Sequence, residues 1–232
     1  MIVQAKSMFR RARNFARSLV PRTRTFYILG QEIAQGTRPD VPAGVRLAWV
    51  EHQTDPHFED MLWIAERQGM DREWCTKEIR RDNSMLLALV ADGGQERVAG
   101  VGWLNGGFHY IDDIYHDLDT GPRGCQLFNA LVLPEFRGRR LQRVLTRGRL
   151  ERAIQRGKRW VYTVVSAANT PSLRNNFSEG NRPILRVDIV ELRGRKLTFL
   201  RRLSHRIPMG RYLFDGWPQW CRWAHFVRPK PT

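Results

Sequence analysis

The first half of the chain contains apolar runs of two kinds, one typical of helices and one of strands. Apolar positions recur at helical spacing over 55–67 and over 71–81. The next two runs, 85–91 and 97–104, are short and nearly continuous, as in buried strands, and adjacent glycines between them favour a tight turn. The pattern predicts two helices followed by an antiparallel hairpin.

The second half predicts a β-α-β unit. Residues 126–133 and 160–165 have strand patterns, and residues 139–156 between them have a helical pattern. Such a connection brings its two strands parallel. A short helix over 172–178 follows. The chain then predicts a closing hairpin, with strands over 184–192 and 197–203.

A polar stretch at residues 105–125 interrupts these elements. It is rich in glycine and proline, so we predict a long, partly ordered loop. It also holds a cluster of acids and imidazoles: His109, Asp112, Asp113, His116, Asp117 and Asp119. Three interpretations stay open: a solvated acidic loop, a pocket wall that attracts a cationic amine, or a metal site. The spacing matches no known metal-ligand pattern, and we predict no bound metal.

Charge divides the chain into three parts. Residues 1–31 hold seven basic residues and no acid, and residues 192–232 hold ten basic residues and one acid. These two ends account for the whole net charge of +16. We therefore expect a basic amphipathic arm over 1–31, a domain over 32–192, and a basic, Trp-rich hairpin strand and tail over 193–232.

Both ends have several interpretations. The first has apolar residues at helical spacing opposite its arginines, up to Pro21. Such a helix suits an anionic membrane surface, packing on its own domain, or a mitochondrial presequence. The aromatic residues of the tail suit a membrane interface, closure of the core, or stacking on nucleobases. No nucleic-acid-binding motif is present, so we do not expect nucleic acid as a partner.

The remaining composition favours a cytoplasmic protein. No apolar run approaches the roughly 20 residues of a membrane-spanning helix. Cys75, Cys125 and Cys221 are scattered and odd in number, as in a protein with reduced thiols. The N-terminus lacks the apolar segment of a secretory signal. A peripheral location on the inner face of the membrane is a further hypothesis, based on the basic ends.

An arginine-rich segment joins the strand ending at Leu133 to the helix beginning near Arg139. A strand that turns abruptly into a helix leaves backbone N–H groups unpaired, and the helix dipole adds positive potential there. Four arginines would reinforce binding of a pyrophosphate: Arg137, Arg139, Arg140 and Arg143. The junction therefore predicts an anion site.

This segment resembles the signature of the GNAT superfamily of acyl-CoA-dependent N-acyltransferases. The signature is a strand ending in Val-x-Pro-x-Phe/Tyr, then Arg/Gln-x-x-Gly-x-Gly/Ala opening a long helix. The matching residues are Val132, Leu133, Pro134, Phe136, Arg137 and Gly138. Downstream, the segment from Asn169 to Leu173 and the later Gly180 are similar to the family's Asn-x-x-Ala/Ser region.

The resemblance implies an α/β (α+β) fold: a mixed, mostly antiparallel central sheet of six to seven strands, flanked by helices, with a splayed strand pair at the coenzyme site. It implies transfer of an acetyl or longer acyl group from acetyl-CoA or another acyl-CoA to a primary amine on a small molecule or polypeptide. The residues implied to bind the coenzyme are Leu131, Val132, Leu133, Arg137, Gly138, Arg139, Arg140, Leu141, Gln142, Arg143 and Asn169.

The chain departs from the family pattern at three positions. Arg140 and Gln142 replace signature glycines, and Asn176 stands where many members have a tyrosine. These departures keep a second hypothesis open: a GNAT-fold protein without turnover, which binds an acyl carrier protein, an anionic membrane or nucleic acid through its basic ends.

The implied reaction needs a base, because an alkylammonium with a pKa near 10.4 must lose a proton before it attacks a thioester. The candidate bases are Asp113 and His116, and the candidate acid is Tyr162. An acyl carrier protein is an alternative donor to free coenzyme, since the basic ends would attract its acidic surface.

Overall fold

The computed structural model describes residues 21–34, 36, 38–81, 83–192, 195–204 and 225–226. The amphipathic helix predicted before Pro21 and nearly all of the Trp-rich tail lie outside these residues. The structure therefore does not test what we predicted for either.

The described residues form eleven strands and four helices. The strands are β1 (Arg22–Glu32), β2 (Val45–Val50), β3 (Ser84–Asp92), β4 (Gln95–Asn105), β5 (Phe108–Ile111), β6 (His116–Asp119), β7 (Gly124–Val132), β8 (Trp160–Ser166), β9 (Arg182–Leu192), β10 (Arg195–Arg202) and β11 (His225–Phe226). The helices are α1 (Phe58–Glu66), α2 (Arg72–Arg80), α3 (Leu141–Gln155) and α4 (Thr170–Ser178), with a 3-10 turn at Pro134–Phe136. None of these helices is long and apolar enough to cross a membrane.

Nine of the strands form one sheet in the order β11-β10-β9-β1-β8-β7-β4-β3-β2, and β5 pairs with β6 separately. Neighbouring strands of the large sheet run antiparallel except for β7 and β8, which are parallel. The predicted mixed, mostly antiparallel architecture is confirmed. The predicted number of six to seven strands was too low, because β1, β2 and the two-residue β11 were not recognised in the sequence.

β1 lies in the middle of the sheet and pairs with both β8 and β9. Its first residues are exposed and include Arg22 and Arg24, whereas Phe26, Ile28 and Leu29 are buried. The boundary that we placed after residue 31 is therefore wrong. It followed the charge, but two of the seven basic residues, Arg22 and Arg24, lie at the exposed start of a strand whose second half is core.

The sheet is buried on both faces at β3. Leu86 and Ala88 of β3 pack against Leu145 of α3, and Leu87 of the same strand packs in the cluster that contains Met61 of α1. Since alternate side chains of a strand point to opposite faces, α3 covers one face and α1 covers the other. This explains why residues 85–91 are apolar without alternation.

Residues 105–125 are more regular than the sequence indicates. They contain the antiparallel hairpin β5–β6, whose Ile111, Ile114 and Leu118 are buried in one cluster with Ile184 and Val187 of β9. The predicted loop is therefore wrong. The glycines lie at the ends of the hairpin, and three spaced apolar residues are enough to hold it against the sheet.

Candidate functional site

β7 and β8 run side by side for three residue pairs and then separate. Their pairing ends at Gln126 and Tyr162. Beyond this point β7 continues on β4 as far as Val132, and β8 continues on β1 as far as Ser166. Each strand is held by its outer neighbour, so a gap opens between them. The splayed strand pair expected from the resemblance is present.

The amides at the end of β7 alternate between β4 and the gap. Leu133 donates its N–H to the carbonyl of Ala99 at 2.9 Å, and the alternation of an antiparallel ladder turns the N–H of Leu131 to β4 as well. Val132 faces the gap, where its carbonyl accepts a bond from Arg137 Nε at 3.3 Å. The resemblance implied that Leu131, Val132 and Leu133 all bind the coenzyme, but the N–H groups of Leu131 and Leu133 face β4 and are not available to the gap. A strand that is hydrogen-bonded along one edge offers only every second N–H group to its other edge.

A bulge interrupts the pairing of β7 with β4. The register shifts between Val101 and Trp103, and Asn129 opposite has a φ of 43°. Asparagine tolerates this left-handed conformation better than most residues, and bulges often lie beside functional sites. Counting back from Val132, we expect the N–H of Ala130 to face the gap as well. Sequence reasoning missed this feature, whose one signal is a polar Asn129 inside an apolar strand.

The loop before α3 leaves five consecutive backbone N–H groups free. No hydrogen bond within the described part of the chain engages the N–H groups of residues 138–142, whereas that of Arg143 returns to the Arg140 carbonyl at 3.0 Å. α3 also begins without a side-chain cap, and its dipole adds positive potential at this end. This is the geometry that an anion site requires. The role of residues 137–143 in binding stays a prediction.

Arg140 adopts a backbone conformation that favours glycine. It has φ 60° and ψ 13°, in the left-handed region, which costs a residue with a side chain about 1–2 kcal/mol. Gly138 also has a positive φ, of 80°. The backbone of the loop therefore follows a path that suits glycine, and the side chain of Arg140 adds a positive charge. The replacement of glycine by arginine does not block the loop. Backbone strain of this kind persists mainly at functional sites.

The arginines of the loop differ in their partners. Glu179 is 2.7 Å from Arg143 Nε and 3.0 Å from Arg147 Nε, and its side chain is buried. Three further arginines form no ion pair with a carboxylate of the described residues: Arg137, Arg139 and Arg140. A cleft of about 760 Å³ next to the loop is lined by four arginines, Arg139, Arg140, Arg143 and Arg147, and by one carboxylate, Asp40. Glu179 and Asp40 offset part of this charge, and the cleft keeps a positive excess that can attract an anion.

Asn169 lies just beyond the end of β8, on the far side of the gap from β7. Its Oδ1 accepts a bond from the N–H of Ser172 at 3.2 Å and so caps α4. A contact of Asn169 with the coenzyme stays a prediction. Asn176, at the family's tyrosine position, donates to the Ser172 carbonyl at 2.9 Å and accepts from Asn181 at 3.3 Å. It is a structural amide and not an acid.

The predicted catalytic residues lie in different surroundings. Asp113 is exposed in the turn of the β5–β6 hairpin, and His116 is paired with Ile111 within that hairpin. Tyr162 is buried at the closed end of the gap, where burial raises its pKa to about 12. No group of three or more His, Cys, Asp or Glu among the described residues could hold a metal ion.

A histidine and a carboxylate that were not paired in the sequence analysis meet beside the bulge. His109 Nδ1 of β5 is 3.6 Å from Glu78 Oε2 of α2, and the His109 ring centroid is 4.7 Å from that of Phe128. Burial alone would raise the pKa of Glu78, but bonds and charges from His109, Arg81 and Asn83 outweigh it and lower that pKa. The carboxylate is therefore ionised at neutral pH.

Aromatic side chains surround this pair. Trp103 stacks on Phe128 with centroids 5.9 Å apart, and Trp74 meets Trp103 edge to face at 5.5 Å. Phe128 directly precedes the bulge residue. The structure thus places a His109–Glu78 pair and an apolar wall next to the point where the amides of β7 turn to the gap.

Comparison with solved structures identifies this architecture. The chain is similar to a tandem GNAT protein from the clavulanic acid biosynthesis pathway, with a TM-score of 0.51, 20% identity, and coverage of 69% of this chain and 50% of that one. The chain has the GNAT fold. The splay and the free amides described above thus lie in a sheet of this fold.

Two further structures are similar. One is a Drosophila protein (TM-score 0.50, 14% identity, 81% of this chain and 58% of that one). The other is the GCN5-related glucosamine N-acetyltransferase region of a fungal multi-domain β-N-acetylglucosaminidase (TM-score 0.50, 16% identity, coverage of 78% of this chain and 22% of that one). The chain spans only 50% and 58% of the tandem GNAT protein and the Drosophila protein. No family model matches the sequence, and no curated protein matches it.

Replacing Arg140 with glycine should stabilise the fold. Glycine adopts the left-handed conformation without strain, so we expect the free energy of unfolding in urea to rise by about 0.5–1 kcal/mol. Arg139→Gly is the matched control, because it removes the same charge at a neighbour with negative φ. It should lower the free energy of unfolding by a similar amount. An equal decrease in the free energy of unfolding in both variants would show that the backbone of Arg140 is not strained.

Proposed function

We propose that this protein is an N-acyltransferase that transfers an acetyl or longer acyl group from acyl-CoA to a primary amine. One observation carries the proposal: the gap between β7 and β8 leads directly to a loop with five free amides. A ligand with a diphosphate at one end and a polar, extended arm at the other would engage both. Coenzyme A has this chemistry.

The diphosphate end would be bound by the N–H groups of residues 138–142. The loop arginines that form no ion pair with a described carboxylate, Arg137, Arg139 and Arg140, would bind it as well. Amides at a helix start bind phosphate through partial charge, and guanidinium groups add charge-assisted hydrogen bonds. Glu179 would hold Arg143 and Arg147 at the edge of this site. The two replaced glycines do not oppose the assignment, since Arg140 keeps the required path and Gln142 keeps a free N–H.

The arm of the coenzyme would lie in the gap. Val132 and Ala130 offer it N–H groups from β7, and Asn169 would contact it from beyond β8. In the reaction a carbon–nitrogen bond forms, the carbon–sulfur bond breaks, and the thiolate leaves while a base takes the proton of the amine. The chain contributes chiefly by holding the reacting groups in place.

We infer that His109 is this base. Its Nδ1 is next to the ionised Glu78, and its Nε2 has no hydrogen-bond partner among the described residues. A carboxylate at one ring nitrogen orients a histidine and leaves the other nitrogen to accept a proton. His109 replaces Asp113 and His116 as the candidate, because its ring contacts Phe128 beside the bulge. The neighbouring tryptophans would exclude water from the acceptor amine.

The donor and the location are finer parts of the proposal. An acyl carrier protein presents the same phosphopantetheine arm, so it is the alternative donor. The basic residues of 1–20 and 205–232 would draw the protein from the cytoplasm to an anionic membrane or to such an acidic partner.

Calorimetric titration with acetyl-CoA and longer acyl-CoAs tests the binding site. We expect the wild-type protein to bind at least one of them. Arg140→Gly should raise the Kd roughly tenfold or more, since a charge-assisted hydrogen bond contributes about 1.5–3 kcal/mol. Arg159→Gln is the control, because Arg159 pairs with Glu32 away from the loop. Failure of the wild-type protein to bind any acyl-CoA would favour the second hypothesis, a GNAT-fold protein that binds an acidic partner without turnover.

Thiol release from the acyl-CoA that binds, measured with a panel of primary amines, tests the base. His109→Gln should lower the rate by about 10²–10⁴-fold without changing the Kd of the acyl-CoA. Glu78→Gln should lower it less, because the imidazole remains. The exposed His52→Gln is the matched control and should keep the full rate. A large loss in His116→Gln with none in His109→Gln would reverse the assignment.

A further inference from the structure

A buried arginine without a carboxylate partner lies under the bulge of β7. Arg149 of α3 is 2% exposed, and no carboxylate of the described residues forms an ion pair with it. Burial lowers the pKa of Arg149 to about 10, so it stays charged at neutral pH. Burying a charge without a counter-charge costs several kcal/mol. An apolar side chain would serve better if packing were its only role.

The guanidinium binds backbone carbonyls of both strands next to the bulge. Nη1 of Arg149 donates to the Trp103 carbonyl at 3.1 Å and lies 3.5 Å from the Phe128 carbonyl. Nε donates to the Leu145 carbonyl at 3.0 Å within α3. Trp103 and Phe128 are the pair at which β4 and β7 resume their register after the bulge. Arg149 therefore links the two strands where their own ladder is broken.

Two glycines make room for this arrangement. A Cβ added to Gly102 of β4 would lie 2.7 Å from Arg149 Cζ. A Cβ added to Gly148 of α3 would lie 2.6 Å from Leu86 Cδ2. Both distances are far shorter than the closest approach of a real Cβ to another heavy atom. Because Gly102 and Gly148 have no side chain, α3 can lie close enough to the sheet for Arg149 to reach it.

We propose that Arg149 is a positioning residue for acyl transfer, which fixes the bulge so that the Ala130 N–H faces the reacting carbonyl oxygen. This inference rests on the proposed function. The oxygen gains negative charge as the carbon–nitrogen bond forms and loses it as the carbon–sulfur bond breaks. The buried positive charge of Arg149 favours that charged state from behind the strand, because little water screens it there.

Steady-state kinetics on three variants of the full chain test the proposal. Arg149→Met removes the charge and the donors, and Arg149→Gln keeps donors without charge. We expect kcat to fall roughly 10²-fold in both, as for loss of an oxyanion donor, with little change in KM for acyl-CoA. Arg149→Lys keeps the charge and should recover part of kcat. Arg152→Gln, on the same helix and paired with Glu51, is the control and should keep full kcat.

Hydrogen exchange of the backbone at residues 127–133 gives a readout that does not depend on turnover. We expect faster exchange in folded Arg149→Gln than in Arg152→Gln, because the bulge loses its clamp. Unchanged kcat and unchanged exchange in folded Arg149→Gln would overturn the inference, even if Arg149→Met fails to fold. A wild-type protein that binds no acyl-CoA and shows no turnover would contradict the proposed function instead, and the exchange result would still decide whether Arg149 fixes the bulge.

Discussion

The separation of β7 from β8 is the constraint on which the site depends. Backbone N–H groups inside a sheet normally find a partner, so a gap between adjacent strands leaves some of them unsatisfied. Here β7 is held on its outer side by β4, through a ladder that one bulge interrupts, and β8 is held by β1, while only three pairs join β7 and β8 to each other. The fold thus keeps open a gap that is lined by polar backbone groups within an apolar sheet.

Residues with a strained backbone lie at both ends of this gap. The described residues include three non-glycine positions with positive φ, and two of them are Asn129 at the bulge and Arg140 at the start of α3. α3 connects the two, since its first residues form the anion loop and its Arg149 reaches the bulge. A single helix, seated closely through Gly148, therefore contributes to both ends of the gap, the loop that we propose binds the diphosphate and the bulge that we propose faces the reacting carbonyl.

The sequence predicted the elements whose patterns are local. The apolar run at 85–91, the β-α-β unit and the arginine-rich junction were all placed correctly. β1 was missed because its exposed, charged start hides a buried second half. The pair of His109 and Glu78 was missed because α2 and β5 meet only through the tertiary fold. The exact amides that face the gap depend on strand register and on the bulge at Asn129, which residue spacing does not reveal.

The most direct test of the account is the response of the loop amides to coenzyme. Backbone ¹H–¹⁵N chemical shifts should be recorded for the full chain as CoA is added. We predict the largest changes at residues 138–142, with smaller changes at Val132 and Ala130. Shifts confined to other surfaces, with the N–H groups of 138–142 unmoved at saturation, would contradict the claim that these free donors bind the diphosphate.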